Sequence, residues 1–142
     1  ACAAGLQVAV RTDNTDTQGI GFSLAEVTVA PDPIGHTGLV NPDFALVLTL
    51  EGVKELASRG LLTPPGAARR ILFDAELEPS AGPAIERSDL HKRFGATNAA
   101  LGGLIEEITR AGWWDRRAWL AAVQHLPASH RAEIEVVLEK TK

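Results

Sequence analysis

Phe44-Ala45-Leu46-Val47-Leu48 is an apolar run without a polar interruption, the composition of a strand covered on both faces in a parallel sheet. It is the expected centre of the sheet. Downstream, Val53, Leu56 and Ala57 fall at helical spacing within Glu51 to Arg59, and Gly60 suits the left-handed position just beyond a helix end. Thr63-Pro64-Pro65-Gly66 forces a turn before Ile71-Leu72-Phe73-Asp74, a second short buried strand. Strand, helix and strand in this order form a right-handed crossover unit, so the chain reads as α/β.

Upstream, Leu6, Val8 and Val10 alternate with Gln7 and Arg11, the period-two pattern of a half-buried strand. Asp13 to Thr17 reads as a polar loop. The glycine-punctuated stretch Gln18-Gly19-Ile20-Gly21 then feeds a strand from Phe22 to Val29, with Ala25, Val27 and Val29 on one face and Leu24, Glu26 and Thr28 on the other. Pro31 and Pro33 end it, because proline cannot donate to a continuing ladder.

The region from Glu76 to Pro83 is loop-like, and after Phe94-Gly95 the pattern becomes helical. Leu101, Leu104, Ile105 and Ile108 form an apolar stripe that Gly112 stops. Asp115 is placed to cap a helix through Gln124 with Trp119, Leu120 and Val123 on its inner side. Ser129 is placed to open a last helix with Ile134, Val137 and Leu138 inward. Glu133, Glu135, Glu139 and Lys140 supply its charged outer face.

At 142 residues the chain is expected to form one domain, with 45% apolar residues, 23% charged residues and a net charge of −4. Its Lys and Arg are scattered, which argues against nucleic acid or an anionic membrane as a partner. No apolar run approaches the roughly 18 residues of a membrane span. Cys2 is the single cysteine, so the chain by itself has no thiolate set for an iron–sulfur cluster. The lone thiol fits a reducing cytoplasm, and the lack of any methionine fits a chain that begins inside a longer protein.

The order of these features resembles the gamma domain of the 2-oxoacid:acceptor (ferredoxin) oxidoreductases, the pyruvate and indolepyruvate type. The resemblance rests on Gln18 to Ile34, on the Val40-Asn41-Pro42-Asp43 lead-in to Phe44-Leu48, and on Arg93-Phe94-Gly95-Ala96-Thr97-Asn98-Ala99-Ala100-Leu101-Gly102-Gly103-Leu104. It also covers the final helical pair, broken at Leu126-Pro127. The family's G-x-G-G-Q-G loop has no counterpart, and its arginine-glycine-glycine signature stands here as Gln18-Gly19-Ile20-Gly21, so no arginine role carries across.

The resemblance implies a three-layer Rossmann-like domain over residues 1–142, with a mostly parallel sheet and a helical C-terminal part. It further implies a non-redox component of an assembly that oxidatively decarboxylates a 2-oxo acid. Thiamine diphosphate, iron–sulfur clusters and coenzyme A are then expected on or with partner subunits, with ferredoxin reached indirectly and no cofactor in this chain. Gly19, Gly21, Phe22 and Ser23 are the residues expected to help wall that site, since glycines let backbone N–H groups approach a ligand closely.

Other constellations carry less. Ser23, His36 and Asp43 could be arranged as nucleophile, base and orienting acid, but Ser23 lies in no G-x-S-x-G elbow. Asp13, Asn14 and Asp16 lack the glycine and closing glutamate of a calcium loop. His91, His125 and His130 have no carboxylate or cysteine at ligand spacing, which argues against zinc. Gly19-Ile20-Gly21 precedes a strand, which excludes a nicotinamide-binding fingerprint. Of the adjacent indoles Trp113 and Trp114, one is expected in the core and the other over a seam or partner surface. The alternative function is a binding or scaffolding module of the same fold with no share in the chemistry.

Overall fold

The computed structural model describes residues 5–14, 23–35, 38, 41–62, 68–77 and 85–141. The chain divides into two compact units, Ala1–Ala45 with Thr49–Arg70 and Pro79–Ala84, and Leu46–Leu48 with Ile71–Glu78 and Ile85–Lys142. No helix among the described residues is long and apolar enough to cross a membrane.

In the first unit, β1 (Gln7–Asn14) and β2 (Ser23–Ala30) form a two-stranded antiparallel sheet, in register from Gln7 opposite Ala30 to Asn14 opposite Ser23. Asp13 and Asn14 therefore belong to a strand rather than to the expected loop. The alternation is as read from the sequence, but the valines do not face a core: Val8, Val10, Val27 and Val29 are 36%, 59%, 48% and 46% exposed. The opposite face, with Ala9, Asp13, Leu24, Glu26 and Thr28, is the half-buried one. Period-two alternation fixes which residues share a face; tertiary partners decide which face is covered.

On the half-buried face Arg59, the C-cap of α1 (Leu50–Ser58), pairs with Glu26 at 2.7 Å; it also pairs with Glu55 at 2.6 Å and lies 3.7 Å from Asp13. The helix starts where Thr49 Oγ1 accepts the Gly52 N–H at 3.1 Å. It ends in a Schellman motif: Gly60, at φ 70°, donates to Ala57 O, and Leu61 donates to Leu56 O. The glycine end is the one expected from the sequence; the Thr49 cap was not anticipated.

The second sheet has the order β3-β4-β5, with β3 (Phe44–Val47), β4 (Arg70–Asp74) and β5 (Ile85–Ser88). β4 and β5 run parallel, from Ile71 opposite Ile85 to Asp74 opposite Ser88. The centre is thus β4 and not the expected Phe44 run, and Ile71, Leu72, Phe73 and Asp74 are all buried. The strand β5 and the short helix α2 (Leu90–Phe94) were not anticipated, because Glu86 and Arg87 interrupt any apolar pattern in β5.

α3 (Ala99–Arg110) packs by its small residues. Ala99, Gly102, Gly103 and Ile105 are buried, whereas Leu104 of the expected stripe is 38% exposed. Gly102 and Gly103 bring this helix down onto Phe94, Leu46 and Leu90, a closeness that larger residues would prevent. Arg93 bonds both carboxylate oxygens of Glu106 and so ties α2 to α3. α4 (Arg116–Val123) opens on Asp115, whose Oδ1 accepts the Ala118 N–H at 2.8 Å as expected. α5 (Ala128–Lys140) buries Val137 and Leu138 and half-buries Ile134. Fully buried Phe73, Leu90, Ile105 and Leu138 form the heart of this unit, each worth about 1.5–3 kcal/mol of apolar transfer.

Candidate functional site

Of the four residues expected to wall a cofactor site, Gly19, Gly21 and Phe22 lie outside the described residues. Ser23 opens β2 as an exposed residue opposite Asn14, at the end of the ladder next to the connection between the two strands. Asp16 and His36 also lie outside the described residues. Asp43 is exposed and paired with Arg69 at 3.1 Å, while Asp13 lies beside Arg59, so both carboxylates have cationic partners that account for them. His125 and His130 are exposed at the end of α4 and the start of α5.

His91 is placed differently from the sequence reading. Local spacing offers it no ligand companion, but β4 ends at Asp74, and the turn that follows brings Glu76 close to His91 at the start of α2. One ligand-type atom from each of Asp74, Glu76 and His91 lies within 4.8 Å of the others. Asp74 is 1% exposed. Its Oδ1 accepts the Glu76 N–H at 3.1 Å and its Oδ2 the His91 N–H at 2.9 Å.

These bonds explain why the carboxylate tolerates its position. Burial is the largest single influence on Asp74 and pushes its pKa up; the two backbone N–H groups, with the His91 ring, together outweigh burial and hold it below the usual carboxylate value. The carboxylate also substitutes for a missing cap, since Asp89 at the N-cap of α2 makes no side-chain cap bond. An aspartate closing a buried strand was the only sequence signal for this cluster, because its partner comes 17 residues later.

A shallow cleft of about 130 Å³ is lined by Glu106, Thr109, Arg116, Trp119, Leu138 and Thr141. It is well below the roughly 300–1,000 Å³ typical of small-molecule sites. Beside it half-buried Trp114 meets Trp119 edge-on at 4.9 Å and Trp113 is 59% exposed, so neither of the adjacent indoles enters the core as expected. Among the described residues, the outward face of the β1–β2 hairpin exposes four valines in register, Val8 opposite Val29 and Val10 opposite Val27.

No protein-family model matches the chain, and no curated protein matches it.

Proposed function

We propose that this chain is a gamma-type, non-redox component of an assembly that oxidatively decarboxylates a 2-oxo acid and passes electrons to ferredoxin or a similar acceptor, active only with partner subunits. The observation that carries the dependence on partners is the exposed valine face of the β1–β2 hairpin. Four β-branched side chains in direct cross-strand register make a continuous apolar surface, and such surfaces on soluble proteins mark places where another chain docks. The chemical class comes from the sequence resemblance, through the glycine loop before β2, the Asn41-Pro42-Asp43 lead-in to β3 and the Gly95 to Gly103 helix start. The same reading carries the three-layer Rossmann-like arrangement and a cytoplasmic location.

The donor chemistry of the chain agrees with a supporting role. One cysteine cannot supply the thiolates of an iron–sulfur cluster, so the clusters belong to companions. In this reading the chain's contribution is to bind, orient and exclude water beside a site whose reactive groups sit on neighbouring polypeptides. Gly19, Gly21, Phe22 and Ser23 are the proposed wall.

The valine face serves equally well a binding or scaffolding module of the same fold with no share in the chemistry. Purification of the chain from its native source, with mass spectrometry of what travels with it, separates the two. Thiamine-diphosphate-binding and cysteine-rich companions support the component; a companion set without them, or no companion, overturns it in favour of the scaffold.

A further inference from the structure

The Asp74, Glu76 and His91 cluster lies entirely within the second unit and is independent of the function proposed above. We propose that it is a binding site for a divalent transition-metal cation of the zinc class.

Three observations carry this. The first is donor geometry: His91 Nδ1 and Asp74 Oδ2 are 3.2 Å apart. Donors about 2.0–2.1 Å from a tetrahedral zinc ion stand roughly 3.3 Å from one another, so this pair already spans one edge of such a shell. Glu76 supplies a third donor atom within 4.8 Å of both.

The second is a buried ring nitrogen. His91 Nδ1 is sealed from solvent and stands against the Asp74 carboxylate at 3.2 Å. A neutral imidazole with its proton on Nε2 turns the Nδ1 lone pair toward that carboxylate, and a cation between the two donors relieves the repulsion.

The third is a rigid support. Asp74 accepts one backbone N–H at each oxygen, which leaves a lone pair on each and fixes the plane of the carboxylate. The turn carrying Glu76 is itself held, with Leu77 donating to Asp74 O and Ala75 donating to Ser88 O. Outer hydrogen bonds of this kind orient metal-ligating carboxylates.

The donor set selects the cation. Two carboxylates and one imidazole are too few for calcium, which takes six to eight oxygens, and suit zinc, cobalt or manganese. Glu76 is exposed, so the cation enters from its side, and three protein ligands leave a coordination position for water. The ion would join the end of β4 to the start of α2.

The test is titration of the tag-free chain with Zn²⁺ by calorimetry and with Co²⁺ by visible absorption. One equivalent should bind, cobalt should show the intense bands of a four-coordinate site, and His91→Ala and Glu76→Ala should each weaken binding at least tenfold. Both variants keep the backbone N–H groups that Asp74 uses, and far-UV circular dichroism verifies that they fold. His125→Ala, an exposed histidine outside the cluster, should leave binding unchanged. Absence of uptake, or uptake that neither His91→Ala nor Glu76→Ala weakens, overturns the proposal and leaves a plain Asp74–His91 ion pair.

Discussion

Gly102 lies against the ring of Phe94 so closely that a β-carbon added to it would come within 2.3 Å of Phe94 Cδ2, 2.5 Å of Cγ and 2.6 Å of Cε2. Its neighbour Gly103 is less confined, since a β-carbon there would meet the terminal methyl groups of Leu46 and Leu90 at 3.0–3.1 Å. An aromatic ring buried between α2 and α3 has no free end to swing aside, whereas leucine methyls can shift.

Gly102→Ala is therefore expected to destabilise the chain by at least the roughly 1–3 kcal/mol of core overpacking, and Gly103→Ala by less. Urea unfolding of the two variants measures the order. Equal losses, or a stable Gly102→Ala variant, would show that α3 does not approach α2 as described.

Arg59 joins α1 to the hairpin through Glu26 and Glu55. Its own pKa is raised, chiefly by the hydrogen bond to Glu55 and then, against the opposing effect of burial, by the charges of Glu55, Glu26 and Asp13. Arg59→Ala should cost roughly 1.5–3 kcal/mol, the range for hydrogen bonds to charged groups, because Glu26 is only 11% exposed and would keep only the more distant Arg11 at 4.0 Å. A double-mutant cycle with Glu26→Gln should recover part of this loss. Strict additivity would mean that the two side chains do not interact.

Asp74 makes stability depend on pH in the acid range. Its folded pKa is depressed below the ordinary value of 3.8, so the ionised form stabilises the fold fully above that value, and the contribution is lost as pH falls through the depressed folded value. Asp74→Asn removes the titration and replaces one accepting oxygen with a donor facing a backbone N–H. The variant should be less stable than the native chain at neutral pH, and the gap should narrow only below about pH 4. A gap that is constant from neutral pH down through the acid range would contradict the ionised, hydrogen-bonded carboxylate.

The outward face of the hairpin can be altered without touching the core. Val10→Lys with Val27→Glu places opposite charges on two exposed, directly paired positions, so the hairpin should fold with a stability change within about 0.5 kcal/mol. Partner capture from the native source should fall at least tenfold. Undiminished capture would move the docking surface elsewhere on the chain.

How much of this was legible depends on whether the signal was local. Gly60 after an apolar-periodic segment, and Asp115 three residues before Ala118, announce helix ends because a cap is settled by nearby backbone geometry. The valine alternation told which residues share a face but not that Arg59 would fix the other face inward. β4 rather than the Phe44 run became the centre because pairing order is a property of the whole sheet. On α3 the expected stripe holds at Ile105, with Leu101 and Ile108 half-buried, but Leu104 is exposed and Gly102 and Gly103 join the buried face, since the Phe94 ring sets that approach. His91 gained its carboxylate from a strand end far along the chain, where spacing rules have no reach.

The most direct trial of the central claim is turnover of a 2-oxo acid, followed by reduction of ferredoxin or a dye, with the purified chain alone and with its copurifying companions. The account predicts no turnover by the isolated chain, and turnover by the companions that falls when the chain is removed and returns when it is added back. Substrate conversion at an enzymatic rate by the chain alone, or by the companions equally well without it, would contradict the account.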